Sequence, residues 1–403
     1  MSARSTWKRP SYRNWQPTIN ANGKIQTQSR HSKIMAEPKN STSDLATPDE
    51  STPPEAGSSA WPFSQSELAA GLRRHAGDAT LRITDLQARK ISQRRPAVGK
   101  LRGIQVQTDG STGQHTFNLV LKQNHGSTRT GAAGAGLREK SVYQTLKEHL
   151  PVRLPAMIAA HPKGEWLVLE HLPDGRQPEK WTAADYLLAI EQLALLHDRF
   201  WGLDMHLDVF SWLEQPLKAG RDIYLQAARS DAEKLSQNTA GVLSRQTDIL
   251  TLTETIIEHI DQITDQLLGS PATLLHGDYW PGNIHIETNS RVTVFDWEDA
   301  AIGPALLDLL GFLQGSSWHF SPLPISADEM IAHYRSRLSQ AGAHTYTNAE
   351  FEQLWDYAIL WSFAGGWVGH LAKTPDALLP MRLSALEEVL FIPLRRAVSR
   401  CLK

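Results

Sequence analysis

The sequence predicts an α+β fold of two lobes, a small N-lobe containing a sheet and a mostly helical C-lobe. Three observations carry this. Strand-like segments cluster between residues 81 and 170, helical periodicity dominates after Pro178, and a Pro173-Asp174-Gly175 turn signal lies between the two regions. The expected organisation is an extension at 1–60, an N-lobe at 61–172 and a C-lobe at 173–403.

The bulk numbers allow this and exclude several other classes. With 403 residues the chain is too long for one small module. A formal net charge of -2 gives no global reason to expect nucleic acid or an anionic membrane as partner. Cys401 is the single cysteine, so an internal disulfide framework and a multi-cysteine zinc site are both excluded, and a reducing compartment fits. The strongest apolar runs, such as 306–313, are far short of a bilayer span. No apolar signal-peptide core is read near Met1, so the expected location is cytoplasmic.

Residues 1–60 are rich in Ser, Thr, Pro, Asn and Gln and show no apolar periodicity, which reads as disorder. Arg4, Lys8, Arg9, Arg13, Lys24, Arg30 and Lys33 precede the first acid, Glu37, but an amphipathic apolar face expected of a transit peptide is lacking. The extension reads instead as a solvated tail, or as sequence ahead of a true start at Met35. Order is expected from Trp61. Ser64 with Glu67 resembles a capping box opening a short helix through Arg74. Strands follow at 81–90, 101–107 and 116–123, the last alternating Phe117, Leu119 and Leu121. A Gly/Ala/Ser-rich loop at 124–136 leads to a helix at 137–150, and a further strand spans 166–170.

The chemistry concentrates in His276-Gly277-Asp278-Tyr279-Trp280-Pro281-Gly282-Asn283. Short strands at 284–286 and 292–295 follow, with a polar turn at Asn289-Ser290, and the second delivers Asp296-Trp297-Glu298. A loop with Asp and Asn, then a hairpin returning another Asp, gathers three oxygen-bearing side chains around one point. Mg2+ takes oxygen ligands and keeps part of its shell for substrate phosphates, so an Asn with an Asp suits it. Asp278 is then free to accept a hydroxyl proton and orient the nucleophile.

This stretch resembles the catalytic core of the aminoglycoside phosphotransferase and choline kinase-like families, small-molecule relatives of the protein kinases. Gly303-Pro304 and Asp308 match further positions of that pattern. The resemblance implies a protein kinase-like fold with ATP and Mg2+ between the lobes. It makes Asp278 the catalytic base or orienter, Asn283 and Asp296 the metal ligands, and Asp308 a brace for the catalytic loop. Such an N-lobe needs a strand Lys for the nucleotide phosphates and a helix carboxylate to hold it. Lys122, at the end of an apolar strand, and Glu139, in Arg138-Glu139-Lys140-Ser141-Val142-Tyr143, stand in that order. The segment 167–172 resembles the hinge, where backbone groups of Glu170 and Leu172 would take adenine. His276 and His197 read as structural, and His285 as packing or facing solvent.

The chain departs from the pattern at the phosphate flap. Residues 93–100 hold one glycine, and Arg94, Arg95 and Lys100 read as solvated. The run from Gly131 to Gly136 follows the Lys strand and reads as a connector, and no Walker loop is present. Glu298 in place of the protein-kinase glycine, with no recognisable activation segment, favours a small-molecule acceptor over a protein. Trp280, Trp297, Trp318, Trp355, Trp361 and Trp367 could hold an amine by cation–π attraction, with Glu298, Asp299, Glu352 and Asp356 adding charge, but core packing explains them at least as well. The expected activity is ATP-dependent phosphorylation of a small acceptor, amine-bearing or sugar-like. The rival is a catalytically inactive, pseudokinase-like nucleotide-binding or interaction module, for which the weak flap is the best support.

Overall fold

The computed structural model describes residues 61–91, 100–124, 126, 133–237, 247–342 and 346–402. The expected tail at 1–60, and with it Met35, lies outside the described residues, as do Arg94 and Arg95 of the flap. The unit that contains the described residues runs from Ala60 to Lys403.

The first lobe is a five-stranded antiparallel sheet with one helix against each face. Helix α1 (Gln65–Ala76) opens on the reciprocal Ser64–Glu67 capping box that its sequence announces. Strands β1 (Arg82–Arg89), β2 (Lys100–Gly110) and β3 (Gly113–Gln123) form a meander. Helix α2 (Ala135–Ser141) then crosses, and β4 (Met157–Ala160) and β5 (Trp166–Glu170) complete the order β1-β2-β3-β5-β4. Leu68 and Leu72 of α1 pack on Ile104, Val106, Leu119, Leu121, Ile158 and Val168. Gly71 permits close approach, since a Cβ there would lie 2.1 Å from the Ile158 carbonyl oxygen. Strand side chains alternate between faces. Leu119 and Leu121 therefore point to α1, and Lys122 points the other way, toward α2.

The second lobe is mostly helical. Helices α3 (Ala183–Phe200), α4 (Asp204–Leu207), α5 (Arg221–Gln237), α6 (Thr247–Glu258) and α7 (Ile260–Leu268) lead to two short strand pairs. Strand β6 (Ala272–Leu275) pairs with β9 (Ala301–Pro304), and β7 (Ile284–Ile286) with β8 (Val292–Val294). Then come α8 (Leu306–Phe320), α9 (Ala327–Gly342), α10 (Asn348–Ser362), α11 (Val368–Lys373), α12 (Leu379–Leu386) and α13 (Ile392–Cys401). Residues on nearly every side of α8 are buried, as suits a central helix. Helix α9 lies along α3, and α10 meets α7, α8 and α13. No helix of the described residues is long and apolar enough to cross a membrane.

Four of the six late tryptophans are core. Trp297, Trp318, Trp361 and Trp367 are buried, whereas Trp280 and Trp355 are half-buried. The indole Nε1–H of Trp367 donates to the Gln314 amide oxygen Oε1 at 2.6 Å, which satisfies its polar edge inside the core.

Candidate active site

The loop after β6 is held by a carboxylate from the start of α8. Asp308 Oδ2 accepts the His276 backbone N–H at 2.6 Å, and Oδ1 accepts that of Gly277 at 3.0 Å. Gly277 has φ +82°, and a Cβ there would lie 2.0 Å from the Asp299 carbonyl oxygen, so the turn requires glycine. The buried His276 ring bridges to the Phe295 carbonyl through Nε2 at 3.0 Å, tying this loop to the segment that carries Asp296. Behind it, the buried His197 contacts Tyr334 Oη at 2.7 Å and Asp308 at 3.4 Å. Both histidines thus sit in structural hydrogen-bond networks. The His285 ring packs against Gly175.

Asp278 emerges half-buried from this braced turn. Asn283 Nδ2 donates to the Asp278 carbonyl at 2.9 Å and to its Oδ2 at 2.8 Å. The short helical turn Pro281–Asn283 makes that return possible, and the Phe295 N–H donates to the Asn283 carbonyl at 3.1 Å. Asp296 comes next in the chain. Its φ of +67° is uncommon for a residue with a side chain, though Asp is among the types that tolerate it.

Lys122 reaches across from β3 into three carboxylates. Its Nζ donates to Glu139 at 2.7 Å, to Glu298 at 2.8 Å and to Asp296. Burial pulls the ammonium pKa down, but Asp296, Glu139 and Glu298 together outweigh it and hold the value well above the ordinary lysine range. Burial pushes the Glu139 carboxyl up against the pull of Lys122. Both shifts run upward and share one cause: three carboxylates crowd a single buried ammonium, which cannot satisfy them all. Ligand atoms of Glu139, Asp296 and Glu298 all lie within 4.8 Å of one another, and the buried Glu139 Oε1 has no hydrogen-bond partner. A hard divalent cation fits this surplus of carboxylate oxygen.

Arg138, next to Glu139, anchors α2 to the helical lobe. It is buried and donates Nε to the Trp212 carbonyl at 3.1 Å, Nη1 to the Glu298 carbonyl at 2.5 Å, and Nη2 to the Ala133 carbonyl at 3.0 Å and to Glu214 at 2.8 Å. Glu170 ends β5, opposite Leu119, about 10 Å along the strand direction from the Lys122 pairing. Its carboxylate accepts from Arg153 at 3.2 Å and from the Ala156 N–H at 3.0 Å, and its own N–H donates to the Ala156 carbonyl at 2.8 Å. Leu172 follows, half-buried.

The structure therefore brings Lys122, Glu139 and Asp296 into one cluster and joins Asp278 to Asn283 beside it. Glu170 and Leu172 lie apart, at the sheet's end. Two of the four acids that could add charge for an amine are paired otherwise, Glu298 with Lys122 and Asp356 with Arg400 at 2.6 Å. The reading of single residues missed Arg138 as an anchor, although its place beside Glu139 in a buried helix turn was a usable signal.

A model of the phosphotransferase enzyme family matches residues 102–346. No curated protein matches the sequence. Among solved structures, an ethanolamine kinase of Plasmodium vivax is similar at TM-score 0.51 and 13% identity, over 78% of this chain and 83% of that one. An aminoglycoside phosphotransferase of Alicyclobacillus acidocaldarius is similar at TM-score 0.50 and 12% identity, over 86% and 97%. Identities this low establish the shared protein kinase-like fold. The chain belongs to the phosphotransferase enzyme family.

Proposed function

We propose that the protein transfers the γ-phosphoryl group of ATP, in the presence of Mg2+, to a hydroxyl of a small acceptor that is amine-bearing or sugar-like. The observation that carries this reading is the gathering of Lys122, Glu139, Asp296 and Glu298 beside the Asp278–Asn283 pair. Lys122 pairs with the nucleotide phosphates, and Glu139 holds Lys122 on the helix side. Asn283 and Asp296 would hold Mg2+, with Glu298 within reach of the same position, and the bound cation would supply positive charge against the triphosphate. Adenine is recognised by backbone groups of Glu170 and Leu172, with the lobes joined near Leu172.

Asp278 takes the proton of the acceptor hydroxyl and aligns its oxygen. That oxygen forms the new P–O bond, the bond between the γ-phosphorus and the bridging oxygen breaks, and ADP leaves. A small-molecule acceptor, rather than a protein, is supported by the lack of a recognisable activation segment in the sequence after Asp296. A library of hydroxylated amines, sugars and plain alcohols, screened for label from γ-phosphate-labelled ATP with and without Mg2+, tests it. The reading expects metal-dependent labelling of polyhydroxylated or amine-bearing compounds. Preference for neutral alcohols lacking an amine or further hydroxyls would rule out the acceptor class.

A further inference from the structure

Trp280 stands between Asp278 and Asn283 in a slot made by two glycines. A Cβ at Gly282 would lie 2.1 Å from the indole ring, and one at Gly315 of α8 would lie 3.2 Å from the Trp280 Cβ. One turn beyond Gly315, the His319 ring tilts against the indole with centroids 4.8 Å apart, and Phe320 stacks on it at 6.3 Å. An indole fixed this way has one polar group to place. Its Nε1–H donates to Asp278 Oδ2 at 3.3 Å. Asn283 Nδ2 donates to that same oxygen at 2.8 Å. Asp278 Oδ1 takes no hydrogen bond from the described residues. A carboxylate is otherwise free to turn about its last torsion and present either oxygen. Two donors converging on Oδ2 remove that freedom.

We propose that Trp280 is a positioning residue, which locks the Asp278 carboxylate so that Oδ1 is the oxygen that receives the acceptor's hydroxyl proton. Slot-filling alone does not require a nitrogen, since any large apolar ring would occupy the space between Gly282, Gly315 and His319. The nitrogen is aimed at the one side chain whose orientation decides the alignment of the nucleophile. The inference rests on the assignment of Asp278 to the acceptor proton.

Two replacements separate the donor from the ring. Trp280→Phe removes the N–H and part of the ring. Incorporation of 3-benzothienylalanine at position 280 keeps the bicyclic shape and removes only the donor, so folding is preserved even where phenylalanine leaves a gap. The probe is ATP with Mg2+, water serving as acceptor, read as ADP release. Both proteins are expected to lose about tenfold in kcat, with KM for ATP held within about twofold. A second readout is independent of turnover: the indole N–H resonance that vanishes in Trp280→Phe should move upfield in Asp278→Ala, where its acceptor is gone. A benzothienyl protein with wild-type kcat, or an indole resonance indifferent to Asp278→Ala, would overturn the positioning role. A wild-type rate in Asp278→Ala would instead remove the reading on which the role rests.

Discussion

Replacing Lys122 by methionine tests the electrostatic core of the site. The side chain is 9% exposed and serves Glu139 and Glu298 at 2.7 and 2.8 Å as well as Asp296, so methionine fills its volume and strands three carboxylates. Removing one partner of a buried pair costs about 3–5 kcal/mol. At roughly 2 °C per kcal/mol for a large domain, the melting temperature should fall by about 6–10 °C. The loss should also depend on pH. Burial already raises the folded-state pKa of Glu139 above its unfolded value, and losing the ammonium raises it further. The folded mutant then holds protons that the unfolded chain gives up, so stability present in acid is lost as pH rises through the carboxylate range toward the raised value. Thermal melts with EDTA at pH 5 and pH 8 read both effects. Adding Glu298→Gln should return part of the deficit, because the cost lies in unpaired charge. A Lys122→Met protein that melts like the wild type at both pH values would refute the reasoning.

Arg138→Ala should destabilise by about 3–5 kcal/mol in urea unfolding, since it strands Glu214 together with three carbonyls, and Arg138→Lys should recover little because an ammonium cannot reproduce the fork. Tyr143→Phe should melt at the wild-type temperature or above it, because the buried hydroxyl it removes has no hydrogen-bond partner. Asp299 keeps some exposed surface, yet burial and then the neighbouring Asp278 push its carboxyl up to about 8. Its folded form therefore retains a proton that the unfolded chain loses, and stability drains between the ordinary carboxylate range and about pH 8. Asp299→Asn should flatten that slope, which melts across pH 5 to 8 in metal-free buffer will show.

The legible part of the molecule was the part written locally. Ser64 and Glu67 are three residues apart, and their reciprocal cap forms as read. The alternation of Phe117, Leu119 and Leu121 set the face of β3 and so sent Lys122 to the other side. Asp278 and Asn283 are five apart, and the turn between them closes on a side-chain hydrogen bond. What the sequence hid was long-range pairing. Glu298 lies 176 residues from Lys122, and nothing local in the sequence marks the pairing that takes up its charge. Asp356 is a second such case, its partner Arg400 sitting on another helix. The four-residue strands β4, β6 and β9 show no period of their own and no polar turn pairs them with a neighbour, whereas the three-residue β7 and β8 are legible from the Asn289-Ser290 turn between them. The tryptophan spacing favours a core over a binding surface without assigning single residues, and burial is what separates Trp297 from Trp280.

The account stands most directly on Asp278. Magnesium-dependent ADP release should be measured beside nucleotide binding for the wild type and Asp278→Ala. The account predicts that both bind ATP with Mg2+ and that Asp278→Ala turns it over about 10² to 10⁴ times more slowly. A wild type that binds nucleotide without turnover, or an alanine variant that matches it, would contradict the catalytic assignment and favour an inactive nucleotide-binding module.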